Sequence, residues 1–213
     1  MAQVSLQTIS RDELRSKMER NPSISFEHLE GSPIIRKSFS SLLRFDESSA
    51  IKAYVEHWSK IYKYAPGHVV PPIYLVSDFD GRKERVIGVV TESSGEKSLS
   101  QYVAAREPIA QRGKSESHYS ISYSLDHLRS SIERLHNKFN LYHGNIGPDE
   151  LWVSFESGSI ALKLGKPIFA MAEAEQKEFA DQDYARIASI SLMLRIEDLE
   201  KRGQFLSDKF PTF

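Results

Sequence analysis

The chain has 213 residues, with 28 Lys and Arg against 29 Asp and Glu, a formal net charge of −1, and no cysteine. The length favours one domain. The charge balance argues against a dedicated nucleic-acid binder and against electrostatic attachment to a membrane. The lack of cysteine excludes disulfides, thiolate metal sites and thiol catalysis. Without a long apolar run or a signal peptide, we expect a soluble protein, cytoplasmic in its own cell or in a host cell after export without a cleaved signal.

The N-terminal residues predict an unstructured arm followed by a short helix. Residues Met1–Ile9 are polar and unpatterned, which is typical of a loose arm. The sequence Ser10-Arg11-Asp12-Glu13 has the form of a capping box, in which Ser10 caps a helix and Glu13 reaches back. Asn21-Pro22 ends this helix, because the residue before a proline disfavours helical geometry.

The rest of the first half predicts two hairpins and one helix. Two β-like runs, Ser23–Leu29 and Ile34–Phe39, predict a first hairpin. Asp46–Tyr64 has apolar residues at helical spacing and predicts a long helix. Pro72–Ser77 and Arg85–Thr91 predict a second hairpin, because an Asp-Gly pair between them favours a tight turn.

The second half is predicted to be mainly helical. Leu99–Arg106 predicts a short helix, and Ser122–Phe139 predicts the clearest amphipathic helix of the chain. An alternating strand pair follows at Leu151–Phe155 and Ile160–Leu164. A single long helix is expected over Lys177–Lys201.

This order of elements predicts an α+β architecture with two lobes. We divide it into an N-terminal arm and short helix (1–22), a β-rich N-lobe with one helix (23–94) and a helical C-lobe (95–213). Ser93-Ser94-Gly95 is the predicted hinge. A cleft is expected where the two lobes meet, since ligand sites form preferentially at such junctions.

The sequences "LRSSIERLHNKFNLYHGNIGPDELWV", which begins at Leu128, and "IALKLGK", which begins at Ile160, resemble the catalytic-loop region of the protein-kinase-like superfamily. In that family an amphipathic helix leads into a loop with a catalytic Asp and a metal-binding Asn. A two-stranded hairpin then ends at a metal-binding Asp. The resemblance implies a protein-kinase-like fold with a small β-rich N-lobe and a truncated, mainly helical C-lobe.

The resemblance also implies roles for five residues. Lys37, in "PIIRKSF", matches the nucleotide-contacting lysine, and Glu56 in the following helix is the candidate for its ion-pair partner. Glu150 matches the metal-binding Asn and completes the candidate nucleotide-binding set. Asp183, in "DYARIASISLML", matches the residue that ties down the catalytic loop, and His143 is expected to pack beneath that loop.

Three departures from the family pattern fall on the chemistry. Asn145 stands at the position of the catalytic Asp, Gly147 at that of the nearby lysine, and Leu164 at that of the metal-binding Asp. An amide cannot accept a proton at neutral pH, and leucine offers no ligand to a hard cation. We therefore expect no catalytic residue and no metal site.

The sequence thus favours a pseudokinase, a catalytically inactive kinase-like protein that binds another protein as a regulator, decoy or scaffold. That partner would be a true kinase or its substrate, with no role for nucleic acid or membrane. No cofactor is firmly implied: ATP could bind, with Mg²⁺ weak or uninvolved. One alternative is an active atypical kinase or other ATP-dependent group transferase, including a secreted effector that modifies a host protein. Another is an unrelated α+β interaction domain whose loop matches the motif by chance.

Overall fold

The computed structural model describes residues 6–36, 46–79, 81, 83–92, 97–104, 116–156, 159–170, 173–196 and 199–210. A small sheet dominates the N-terminal part and helices dominate the rest, which confirms the mixed α+β class. The helices within these residues are α1 (Arg11–Arg20), α2 (Glu47–Tyr64), α3 (Leu99–Ala104), α4 (Glu116–Phe139), α5 (Glu173–Leu194) and α6 (Leu199–Lys209). The strands are β1 (Gln7–Ser10), β2 (Ile24–His28), β3 (Ile35–Arg36), β4 (Pro72–Phe79), β5 (Glu84–Glu92), β6 (Lys97–Ser98), β7 (Leu151–Glu156), β8 (Ser159–Leu164) and β9 (Phe169–Ala170).

The first two helices begin where their capping residues predict. The Ser10 hydroxyl accepts a hydrogen bond from the Glu13 amide at 3.3 Å, and the Asp46 carboxylate accepts one from the Ser49 amide at 2.8 Å. Each cap satisfies an amide that has no partner within its helix. Helix α2 buries one face, which includes Tyr54 and Trp58, so the helical periodicity correctly identified a core element.

The main sheet has four strands in the order β1-β4-β5-β2. Strands β4 and β5 form the antiparallel hairpin predicted from the sequence. The predicted loose arm is wrong for residues 7–9, because β1 pairs in parallel with β4 and aligns Gln7 with Tyr74. Ile9 is 1% exposed. A single apolar side chain in a polar run carries no periodicity, so this pairing left no signal in the sequence.

The predicted first hairpin is also wrong. Strand β2 pairs with β5, aligning Ile24 with Glu92, whereas β3 pairs in parallel with the distant β9. The chain leaves the sheet after β2, where the amides of Leu29 and Glu30 both donate to the Ile87 carbonyl. The end of the predicted second strand, residues 37–39, lies outside the described residues, as does the predicted hinge at 93–95.

The second half contains the predicted strand pair, with β6, β7 and β8 in one three-stranded sheet. Helix α4 begins at Glu116, earlier than predicted. The single helix expected over Lys177–Lys201 is wrong, because α5 ends at Leu194 and α6 starts at Leu199. The buried Arg202 side chain donates from Nε to the Ile196 carbonyl at 2.8 Å, which satisfies a carbonyl at this break.

One hydrophobic core runs through both halves of the molecule. It joins α2, β5, α4, the β7–β8 pair and α5, whereas a smaller cluster lies between α1 and the other face of the main sheet. Backbone hydrogen bonds also connect the halves: the Leu164 amide donates to the His68 carbonyl at 2.8 Å and Val70 donates to Leu164 at 2.9 Å. No helix in the described ranges combines the length and the apolar character needed to cross a bilayer.

Candidate functional site

A cavity of about 390 Å³ lies between the main sheet and the end of the β7–β8 pair. Strands β2 and β5 supply one wall, and the segments before β7 and after β8 supply the other. Its lining consists of two tryptophans, four charged side chains and four smaller residues: Ser25, Glu27, Trp58, Val70, Thr91, Asp149, Glu150, Trp152, Gly165 and Lys166. This volume falls within the range of small-molecule sites, about 300–1,000 Å³.

The loop that resembles a catalytic loop lies against this cavity. The Asn145 side chain donates from Nδ2 to the Lys166 carbonyl at 3.0 Å, and the Gly165 amide donates to the Glu150 carbonyl at 2.9 Å. These bonds join the loop before β7 to the segment after β8. Asn145, Glu150 and the chain that follows Leu164 therefore converge on one cleft.

Asp183, in α5, holds the start of that loop in place through hydrogen bonds. Its carboxylate is fully buried and accepts hydrogen bonds from the amides of His143 and Gly144, each at 2.8 Å. The His136 ring donates to it from Nε2 at 3.1 Å. Gly144 has φ +72°, and a Cβ there would lie 3.2 Å from Phe179. The tight approach of the loop to α5 therefore requires glycine at this position.

His143 is neutral in this arrangement. Its Nε2 donates to the Gly165 carbonyl at 3.2 Å, and its Nδ1 accepts from the Asn145 amide at 3.4 Å. Complete burial lowers the pKa of His143, although the nearby Asp183 charge opposes that shift. The ring thus supports the loop through one defined tautomer, with no lone pair left for a proton transfer.

An ion pair crosses the cavity between the two walls. Lys166 Nζ lies 2.6 Å from Glu27 Oε1, and both side chains are about one-third exposed. Lys166 follows β8, whereas Glu27 lies on β2 and is 139 positions away in sequence. Sequence analysis missed this pair, because nothing local to either residue indicates the contact.

Glu150 is a half-buried carboxylate of the cavity. Burial raises its pKa, the neighbouring Lys166 ammonium opposes that rise, and the charges of Glu27 and Asp149 add to it. A hydrogen bond with the Asn145 side chain favours the ionised form. Asp149 is more exposed and accepts a hydrogen bond from the Ser100 hydroxyl.

The other residues singled out from the sequence are distributed as follows. Lys37 lies outside the described residues. Glu56 is an exposed side chain of α2. Gly147 is buried in the loop, and its carbonyl accepts the amides of Glu150 and Leu151. Leu164 is fully buried in the core, and Lys166, two residues later, is the side chain that reaches the cavity.

These groups define what the site can do chemically. Asn145 is an amide and supplies hydrogen bonds but no base at neutral pH. Lys166, the cation of the described lining, is already paired with Glu27. The described part of the chain holds no group of three or more His, Cys, Asp or Glu side chains arranged to ligate a metal ion.

No protein-family model matches this sequence, and no curated protein matches it. Among solved structures, the chain is similar to the kinase domain of maize SIRK1 (sucrose-induced receptor kinase 1) bound to AMP-PNP, with 20% sequence identity and a TM-score of 0.31. The matched region covers 51% of this chain and 37% of the maize chain. The chain thus spans little more than one-third of that kinase domain.

Proposed function

We propose that this chain is a pseudokinase, a catalytically inactive kinase-like protein that binds another protein as a regulator, decoy or scaffold. The observation that carries the proposal is the net negative charge of the described cavity lining, in which three carboxylates accompany Lys166. Phosphoryl transfer depends on cations that neutralise the transferred phosphate. Lys166 is the single cation of the described lining, and Glu27, Asp149 and Glu150 outnumber it, so the lining as a whole repels a phosphate group.

The position that resembles a catalytic Asp supports the same proposal. Asn145 uses its Nδ2 group to hold the Lys166 carbonyl, and an amide oxygen is not a base at neutral pH. Asp183 and His143 hold this loop in place although it carries no base. A loop that is held by these hydrogen bonds but lacks a base is expected in a protein that binds a partner and does not catalyse phosphoryl transfer.

The proposed partner is a protein, either a true kinase or its substrate, and the proposed setting is the cytoplasm of the producing cell or of a host cell. Any binding of ATP would be weak or independent of Mg²⁺. The near-neutral net charge fits a protein partner better than a nucleic acid.

One observation favours an active atypical transferase as the second candidate. Burial raises the pKa of Glu150, and a carboxylate with a raised pKa is better suited to accept a proton from an acceptor hydroxyl. This candidate would use Glu150 and Lys37 in ATP-dependent group transfer.

A thermal-shift titration with ATP, with and without Mg²⁺ or Mn²⁺, separates the two candidates. The pseudokinase proposal predicts a shift in Tm below about 1 °C, with no gain from metal. A ligand at 100 times its Kd would stabilise the protein by about 2.7 kcal/mol, or roughly 5–10 °C for a chain of this size. A metal-dependent shift of that size, abolished by Lys37→Ala and by Glu150→Gln but retained in the exposed-site control Glu178→Gln, would establish the transferase instead.

A further inference from the structure

The charges that line the cavity do not balance. Glu27, Asp149 and Glu150 contribute three carboxylates, and Lys166 contributes the one ammonium group of the described lining. Lys166 pairs with Glu27 and its charge also acts on Glu150, so three carboxylates share one ammonium group in the described lining. A surplus of two formal negative charges in one cavity attracts positively charged ligands and repels anions.

The cavity also has aromatic side chains in its lining, of which Trp152 is half-buried and Trp58 is 2% exposed. Trp58 and Trp152 both line it, and they are the two tryptophans of the chain. The Trp58 indole is fixed because its Nε1 donates to the Val70 carbonyl at 2.8 Å. Indole rings are the strongest partners of organic cations among aromatic side chains, and they bind guanidinium and alkylammonium groups better than small hydrated metal ions.

We propose that this cavity binds an organic cation, a guanidinium or alkylammonium group. The net negative charge of the described lining attracts the cation, and the indoles, chiefly that of Trp152, supply cation–π surface. The inference deepens the proposed function, because a basic side chain of a protein partner would be one source of the cation. The proposed function is needed only to name a protein partner as the source of the cation. The class of ligand follows from the cavity lining alone.

Intrinsic tryptophan fluorescence tests the site directly, since both fluorophores line it. The probes are a blocked Gly-Gly-Arg-Gly-Gly peptide, the same peptide with citrulline in place of Arg, and agmatine as a free guanidinium compound. Citrulline has the shape of arginine without its charge. We expect saturable fluorescence changes with the arginine peptide or agmatine, and at least about tenfold weaker binding of the citrulline peptide. Tighter binding of the arginine peptide assigns the cation to a protein side chain, and tighter binding of agmatine assigns it to a small amine.

One charge-removing variant and one control complete the test. Glu150→Gln removes charge at constant shape and should weaken binding about tenfold, with Glu178→Gln as the exposed-site control that leaves binding unchanged. Circular dichroism checks that both variant proteins are folded. Equal binding of the arginine and citrulline peptides, wild-type binding by folded Glu150→Gln, or the same fluorescence change with Mg²⁺ alone would overturn the proposal. None of these outcomes depends on whether ATP binds, so the failure of this inference and that of the proposed function are distinguishable.

Discussion

Asp183 is the residue on which the geometry of the loop depends most. It is fully buried and accepts two backbone amides and one histidine N–H. Replacement by Asn puts an NH₂ group against these donors and removes a charge-assisted acceptor. We predict that Asp183→Asn lowers the free energy of unfolding by about 2–4 kcal/mol, as measured by urea denaturation.

The matched control for this change lies two residues earlier on the same helix. Asp181 is exposed, so Asp181→Asn should alter the free energy of unfolding by less than about 0.5 kcal/mol. Equal effects of the two substitutions would show that the buried hydrogen bonds of Asp183 contribute nothing specific.

His57 makes stability depend on pH. Burial lowers its pKa from 6.5 to about 4, and its Nε2 donates to the Tyr142 carbonyl at 3.0 Å. Between these two pH values the unfolded chain binds a proton at His57 that the folded chain does not, so stability falls as the pH decreases. The loss attributable to His57 is about 3 kcal/mol over that interval. His57→Gln keeps an N–H donor but no titration, so its unfolding free energy should depend less steeply on pH by about one proton. An unchanged dependence would contradict this assignment.

At this scale the sequence identified some residues of the site and missed others. His143, Asn145 and Glu150 were located because they fall in one continuous motif, and Asp183 was located because it begins a second motif. Glu27 was missed, and Lys166 was noted only as a residue behind Leu164. Their contact joins positions 139 apart, and it depends on how β2 docks on β5, which no local pattern records.

The docking of β2 on β5 depends on one glycine. A Cβ at Gly88 would lie 2.2 Å from the Glu27 carbonyl oxygen and 2.7 Å from the Phe26 ring. We predict that Gly88→Ala displaces β2 and lowers the free energy of unfolding by at least about 2 kcal/mol. Gly203 in α6 has no heavy atom within 4 Å of its built Cβ, so Gly203→Ala should stabilise by about 0.5–1 kcal/mol. Urea denaturation checks both, and destabilisation by both or by neither would contradict the packing described for Gly88.

The elements predicted correctly are those whose partners are close in sequence or whose periodicity is strong. Helix α2 and the β4–β5 and β7–β8 pairs belong to this group. Strands β1 and β3 pair in parallel with distant strands, and a short parallel pairing leaves neither a turn signal nor a clear alternation. The break between α5 and α6 was missed because no Gly or Pro lies between Leu194 and Leu199, and the Arg202 side chain that donates to the Ile196 carbonyl leaves no local signal.

At the scale of the whole molecule, a single core connects the sheet to the helices, and the cavity lies between them. The bonds of Leu164 to His68 and Val70 and the Lys166–Glu27 pair hold the two walls together. The two-part α+β organisation was predictable from the order of elements. The character of the cavity was not, because its described lining comes from six separate segments of the chain.

The central claim is that this cavity does not support group transfer from ATP. The most direct test is incubation of the purified protein, alone and in a cell lysate, with ATP labelled at the α- or the γ-phosphate and with Mg²⁺ or Mn²⁺. An active protein kinase in parallel serves as the positive control. The account predicts no protein-bound label above that of a blank without the protein. Label transfer that Glu150→Gln abolishes and Glu178→Gln retains would contradict it.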